Sequence, residues 1–211
     1  MKKLPRARGS WSLDSGGFQE LPLHGEWTVT VDRYIREYVH GIGKLQWAAI
    51  QDRIVEEHQR RTIRTYLESM DKAPEPVLQG RTCGDYWRHV DDYARADIEL
   101  RKLPLVGLGS ICRRQGTHRA AAIAHTLRRS DGVRIHAFGV KTARLELMRD
   151  DIASADSLAR SFTARRGPPL PGCKHEHCNN CLKFALKWRA KILGIPGVHE
   201  APPAEEPSLF G

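Results

Sequence analysis

Apolar positions along this chain follow two alternating patterns. Short continuous runs suit strands covered on both faces, and stretches with apolar residues three and four apart suit helices with one covered face. Trp11 to Leu13 is the first short run and leads straight into Asp14. Val31, Tyr34, Ile35, Tyr38 and Val39 share a helical face, Leu45 to Ile50 is a second apolar run, and Ile63, Tyr66, Leu67 and Met70 repeat at helical spacing. Pro76 to Gln79 predicts a strand closed by Gly80, residues 84 to 97 a polar helix, and Leu103 to Leu108 a buried strand closed by Gly109-Ser110. Thr117 is placed to cap a helix with Ala120, Ile123, Ala124 and Leu127 on one face. Val133 to Val140 predicts a strand, residues 142 to 149 a helix and Ile152 to Asp156 a last short strand, and Leu182, Ala185, Leu186 and Arg189 mark a C-terminal helix.

Strands that alternate with helices imply an α/β fold with a parallel sheet and helices outside it. Several of these strands end in Gly, Asp or Gln, and in a (β/α) barrel such ends form the active-site face. The expected architecture is a TIM-type barrel over residues 1–167, followed by a separate small segment and helix over 168–194, whose chemistry is set by its cysteines. A Pro-rich, acidic tail over 195–211 is expected to be disordered. About six strands are read where a full barrel has eight. Only ten residues precede Trp11, so the barrel is expected to be short or incomplete at its N-terminus.

Composition narrows the class. The chain has 211 residues, 40% of them hydrophobic, and no apolar run nears the ~20 residues of a membrane helix. The basic start, Met1 to Arg8, has no apolar segment behind it, so no secretory signal is expected. The formal net charge of +9 favours a polyanionic partner, although a soluble protein can be basic without one. Arg113-Arg114, Arg128-Arg129 and Arg165-Arg166 are candidate phosphate contacts, and a solvated helix surface explains Arg128-Arg129 equally well.

Five cysteines are present, and Cys173, Cys178 and Cys181 crowd into nine residues. That pattern suits a metal site in a reducing compartment rather than a disulfide framework. Three thiolates and one imidazole complete a closed tetrahedral zinc site. Cys173, His175, Cys178 and Cys181 are the favoured ligands, with His177 the competing imidazole. Four protein ligands leave no position for water, so the zinc is expected to be structural. Cys83 and Cys112 read as packing cysteines.

Two carboxylates stand at strand ends. Asp14 opens the turn Asp14-Ser15-Gly16-Gly17-Phe18-Gln19, where paired glycines let backbone approach a flat ligand and Phe18 offers a stacking face. A solvated turn is the plainer reading of those residues. Asp156 ends the last strand and precedes Arg160, Arg165 and Arg166, and the plainer reading there is a helix cap. Two such acids suit double displacement at a sugar carbon, one as nucleophile and one handling protons.

The hexapeptide from Asp14 to Gln19 resembles the signature of the tRNA-guanine transglycosylase superfamily, whose members exchange a guanine in nucleic acid for a 7-deazaguanine. The resemblance implies Asp156 as nucleophile and Asp14 as general acid or base, with Ser15, Gly16 and Phe18 in the substrate turn. It implies Asp52 as the reader of the guanine-like edge and Gln79, in Val77-Leu78-Gln79-Gly80, as the base-binding glutamine. Gly107, Leu108 and Gly109 are similar to the loop whose backbone meets the base, and Phe138-Gly139-Val140 to the strand before the nucleophile. The local sequence around Asp52 departs from the tRNA enzymes. So does the metal segment, where His175 takes the second place of their Cys-x-Cys-x-x-Cys.

The overall likeness is to the branch that modifies DNA, deoxypurine-in-DNA protein A. It is carried by Gly107-Leu108-Gly109-Ser110-Ile111-Cys112-Arg113-Arg114 and by the Cys-x-His-x-x-Cys-x-x-Cys run from Cys173 to Cys181. It implies insertion of a preQ0-type 7-deazaguanine into DNA, which would protect phage or host DNA from restriction nucleases. Partners would be DNA and the free base, with a homodimer or accessory DNA-modification proteins besides, in a bacterial or phage-infected cytoplasm. Two other readings stay open. One is a transglycosylase acting on tRNA, and the other is an inactive, zinc-stabilised nucleic-acid-binding protein.

Overall fold

A computed structural model of the chain describes residues 11–15, 23–34, 36–37, 44–51, 59–68, 74–111 and 118–198. The chain divides into two compact units, the first running to Ser110 and the second starting at Ile111. Every strand pair with a described register is parallel. The protein is a mixed α/β structure with parallel sheets.

In the first unit, β1 (Trp11–Leu13), β2 (Leu45–Ala49) and β3 (Pro74–Glu75) form a sheet in that order. β4 (Val77–Leu78) pairs with β5 (Val106–Leu108), with Val77 opposite Gly107 and Leu78 opposite Leu108. Pro76 lies between β3 and β4. It has no N–H to donate, and its carbonyl accepts from Gly107 N at 2.8 Å. Ala48, Ala49, Val77, Leu78, Val106 and Leu108 are all buried, as parallel strands covered on both faces require. The short helix α1 (Val31–Tyr34) closes one edge of this core, where Tyr34 packs with Ala48 and its hydroxyl donates to Ala49 O at 2.7 Å. Of the helical face read from the sequence there, Ile35, Tyr38 and Val39 lie outside the described residues.

Helix α2 (Gln59–Leu67) buries Gln59, Thr62, Ile63 and Tyr66, spaced three, one and three apart, and leaves Leu67 exposed. The expected apolar face is therefore rotated toward polar residues, and two of the four buried groups are polar. Helix α3 (Cys83–Arg95) starts at a capping box. Thr82 Oγ1 accepts from Asp85 N at 3.2 Å, and Asp85 Oδ2 accepts from Thr82 N at 2.7 Å. Its end is closed by Asp97 at φ 59°, with Ile98 N returning to Tyr93 O and Asp97 N to Ala94 O, both at 3.0 Å. The strand expected from Leu103 is shorter. Leu100–Lys102 form a 3-10 turn, and the ladder begins only at Val106, beyond Pro104.

The second unit holds α4 (His118–Asp131), β6 (Ile135–Ala137), α5 (Thr142–Met148), β7 (Ser154–Ala155), α6 (Ala159–Arg166) and α7 (Leu182–Leu193). Ala120, Ile123, Ala124 and Leu127 are the buried face of α4, as their spacing predicts. Thr117, the expected cap, lies outside the described residues. β6 and β7 pair with His136 opposite Ser154 and Ala137 opposite Ala155. Helix α6 was not read from the sequence, because Ala164 alone on it is buried. Helix α7 falls where expected, yet Leu182 and Leu186 on it are exposed. Arg149 Nη1 donates to Pro196 O at 2.8 Å and holds the turn after α7. Residues 199–211 of the expected tail lie outside the described residues. No helix among the described residues is long and apolar enough to cross a membrane.

Candidate active site and metal cluster

Within each sheet, parallel pairing puts the carboxyl ends of paired strands on the same side, and in each unit polar residues follow the strands. Asp14 and Ser15 follow β1, Gln51 follows β2, Gln79 follows β4, Gly109 and Ser110 follow β5, Phe138 and Gly139 follow β6, and Asp156 follows β7. Gly16, Phe18, Asp52, Arg113 and Arg114 lie outside the described residues. Asp14 belongs to the first unit and Asp156 to the second. Asp14 is exposed and Ser15 half-buried.

Gln79 is the most firmly held of these residues. Its backbone N donates to His89 Nδ1 at 3.0 Å, and its carbonyl accepts from Gln59 Nε2 at 2.6 Å. The same Gln59 amide donates to Asp85 O at 3.1 Å, so one side chain ties the strand end to the start of α3. Ser110 Oγ donates to Gln79 Oε1, which aims the amide. The Gln79 amide lies close against Gly109, where a Cβ would come within 2.3 Å of Nε2, so no larger residue fits without displacing it. Gly109 N donates to Leu78 O at 2.9 Å, and Gly109 O accepts from Tyr86 OH at 2.6 Å. The Gly107-Leu108-Gly109 segment is thus bonded into the ladder at both glycine N–H groups.

The protonation states follow from burial. His89 is fully buried, and desolvation pushes its pKa down to about 4. The ring is therefore neutral at pH 7 and accepts at Nδ1 from Gln79. Glu75, at the end of β3, is pushed up to about 7 by burial. Burial, and then the charge of Glu75, raise Tyr66.

In the second unit, the Asp156 carboxylate accepts the Gly139 N–H through Oδ1. Its backbone continues the ladder, with Asp156 N donating to Ala137 O at 3.3 Å and Val140 N donating to Asp156 O at 2.9 Å. Gly139 reaches this position at φ 68°, a left-handed turn that suits glycine. Beneath it, His136 Nδ1 and Ser154 Oγ lie 2.8 Å apart, and burial pushes His136 down to about 3. Arg160 Nη1 donates to Asn179 O at 2.9 Å, so it braces the cysteine loop. Arg165 and Arg166 end α6 and are exposed, with the Arg166 guanidinium 3.9 Å above the Phe162 ring.

Sequence reading missed Gln59, Glu75, His89, Ser110 and Gly139. Only Ser110 and Gly139 lay inside motifs already singled out. Ser110 stands at φ 61°, unusual for a residue with a side chain, and such backbone recurs at functional sites.

The ligand atoms of Cys173, His175, Cys178 and Cys181 all lie within 4.8 Å of one another. Cys173 Sγ and Cys181 Sγ are 3.8 Å apart, and His175 Nε2 is 3.1 Å from Cys178 Sγ. Metal–sulfur bonds of ~2.3 Å at tetrahedral angles place sulfurs ~3.8 Å apart, so the donor set fits a metal ion. Leu170 N donates to Cys178 Sγ at 3.3 Å, the kind of outer hydrogen bond that orients a thiolate. Desolvation and then the crowding of the other thiols push Cys173 up to about 11, and backbone donation from Phe184 leads the lowering of Cys181. His177 is outside the set, 3.6 Å from Glu176. Cys83 is a free, half-buried thiol at the start of α3, and Cys112 lies outside the described residues.

Comparison with curated proteins and with solved structures gives no match. The family model of DpdA, deoxypurine in DNA protein A, matches residues 1–204. That match spans nearly the whole chain, both strand-end carboxylates and the Cys/His cluster included, and the chain belongs to the DpdA family.

Proposed function

We propose that this protein is a transglycosylase that exchanges guanine in DNA for a 7-deazaguanine of the preQ0 type. The family suggests DNA modification by glycosyl transfer, and the chain's own residues support the finer reading. The observation that carries it is the Asp156 carboxylate, which ends a strand and takes a hydrogen bond from Gly139 N. A carboxylate fixed in that way presents its second oxygen in one direction. In the proposed reaction that oxygen bonds to C1′ of the sugar as the C1′–N9 bond breaks, and the departing guanine takes a proton from Asp14. The 7-deazaguanine then gives a proton to Asp14 and bonds to C1′, and the Asp156 ester breaks. Gln79 reads the base from its locked position, with Asp52, Ser15, Gly16 and Phe18, and Arg113, Arg114, Arg165 and Arg166 hold phosphates.

A barrel of the TIM type is proposed from the family resemblance, and the parallel strands in chain order, β1-β2-β3, agree with it. The metal is proposed to be zinc, held by Cys173, His175, Cys178 and Cys181. Such a site, closed by four protein ligands, stabilises its segment and takes no part in the exchange.

The test is nucleoside analysis of DNA and tRNA from cells with and without the protein. The 7-deazaguanine should appear in DNA when the protein is present. Its appearance in tRNA alone would turn the assignment to the tRNA enzymes, and its absence from both would remove the activity.

A further inference from the structure

Positive charge is segregated in this chain. Residues 158–193 hold eight Lys and Arg against one acid, Glu176, so that stretch accounts for a net +7 of the chain's +9. In the first unit, by contrast, the cations around α3 are paired. Arg88 bonds Asp85, Arg95 bonds Asp92 at 3.0 Å, and Arg101 and Lys102 both bond Glu99, at 3.1 and 2.7 Å. Among the described residues, no carboxylate pairs with Arg165, Arg166, Lys183, Lys187 or Lys191.

These cations are also organised. Lys183, Lys187 and Lys191 lie four residues apart, which makes a single row along the exposed side of α7. Phe184, Ala185, Trp188 and Ile192 form its half-covered side. Neutral groups hold the cations in place. Lys183 Nζ donates to Pro171 O at 2.8 Å, Lys191 Nζ lies 5.2 Å from the Trp188 ring centre, and Arg166 rests on Phe162. Ordering a long side chain before binding lowers the entropy lost on binding.

The Cys/His cluster lies where the two helices meet its loop. Cys181 is the residue at which α7 starts, and Arg160 on α6 donates to Asn179 O in the same loop. α6 and α7 pack against each other.

Resting on the reading that the protein acts on DNA, we propose that the exposed lysine row of α7 with the basic end of α6 is the surface that grips the DNA backbone. Lys183, Lys187 and Lys191 meet phosphates, and the Cys/His centre holds the two basic helices in one orientation. A row of ammonium groups without carboxylate partners is a phosphate-binding feature and gives no base readout, so this surface supplies affinity and register.

The experiment compares wild type with a Lys183→Ala, Lys187→Ala, Lys191→Ala variant, using DNA duplexes over a series of salt concentrations. Each lost phosphate contact should flatten the log–log salt slope by ~0.9, so the variant's slope should fall by roughly 2–3. Metal content and circular dichroism of the variant should match wild type, and the corresponding Lys→Arg variant should restore the slope. If wild type binds DNA with a steep slope and the alanine variant binds equally well, this surface is not the grip, and the DNA reading stands. If wild type itself shows no salt-dependent DNA binding, the DNA reading fails. If DNA binding survives the alanine variant while Leu182→Ser with Leu186→Ser changes the sedimenting mass, the face is a protein interface and the proposal falls.

Discussion

At the scale of single residues, Gln79 is held by partners that no local motif announces. The residue itself was legible, because it closes an apolar run just before a glycine. His89 and Gln59 were not, because polar residues on a helix read as solvent-facing, yet both are buried and both bond its backbone. Ser110 was within a quoted motif, but its role depends on a left-handed φ of 61° that composition does not reveal. Glu75 was passed over in the same way, as a charge between two prolines. Its folded-state pKa of about 7 lies above the unfolded value of 4.5. Between those values the unfolded chain has released a proton that the folded chain keeps. The stabilising effect of the neutral carboxyl is therefore present below pH 4.5 and lost as pH rises through 7. Glu75→Gln should raise stability at pH 8 by up to about 3 kcal/mol and change little at pH 4. His89 and His136 act in the opposite sense, losing stability as pH falls below 6.5, but they are common to both proteins and cancel in the comparison. Denaturant unfolding at the two pH values measures the difference, and an equal effect at both would mean that Glu75 is not kept neutral by the fold.

At the scale of elements, periodicity revealed the helices whose one side is apolar and hid those whose covered side is polar or nearly absent. The four residues read as the face of α4 are its four buried residues. Helix α2 instead buries Gln59 and Thr62 beside Ile63 and Tyr66, and α6 buries a single alanine. Strands came out shorter than their apolar runs: Pro76 and Pro104 lack the N–H that a ladder needs, and the runs Val133–Val140 and Ile152–Asp156 pair only over Ile135–Ala137 and Ser154–Ala155. The three cysteines of the cluster were legible because ligand spacing is a local constraint. Geometry adds the choice of imidazole, with His175 inside the cluster and His177 beside Glu176. His175→Ala should lose the metal and destabilise α7, while His177→Ala should keep one zinc per chain. Elemental analysis of the two variants reads this directly, and metal loss from His177→Ala alone would reverse the choice.

At the scale of the molecule, the alternation of apolar runs and helical stretches predicted parallel strands with functional residues at their carboxyl ends, and the described pairs are parallel. Closure into a barrel was not legible, because short strands say which neighbours pair and do not say whether the sheet meets itself. The family match over residues 1–204 suggests DNA modification by glycosyl transfer. The proposed covalent bond between Asp156 and a DNA sugar can be trapped. Protein incubated with a DNA duplex and no acceptor base, then denatured, should carry a DNA adduct that peptide mass spectrometry places on Asp156. Adding a 7-deazaguanine before denaturation should discharge it, and Asp156→Ala should form none. An adduct that persists in Asp156→Ala, or that maps to another side chain, would contradict the assignment.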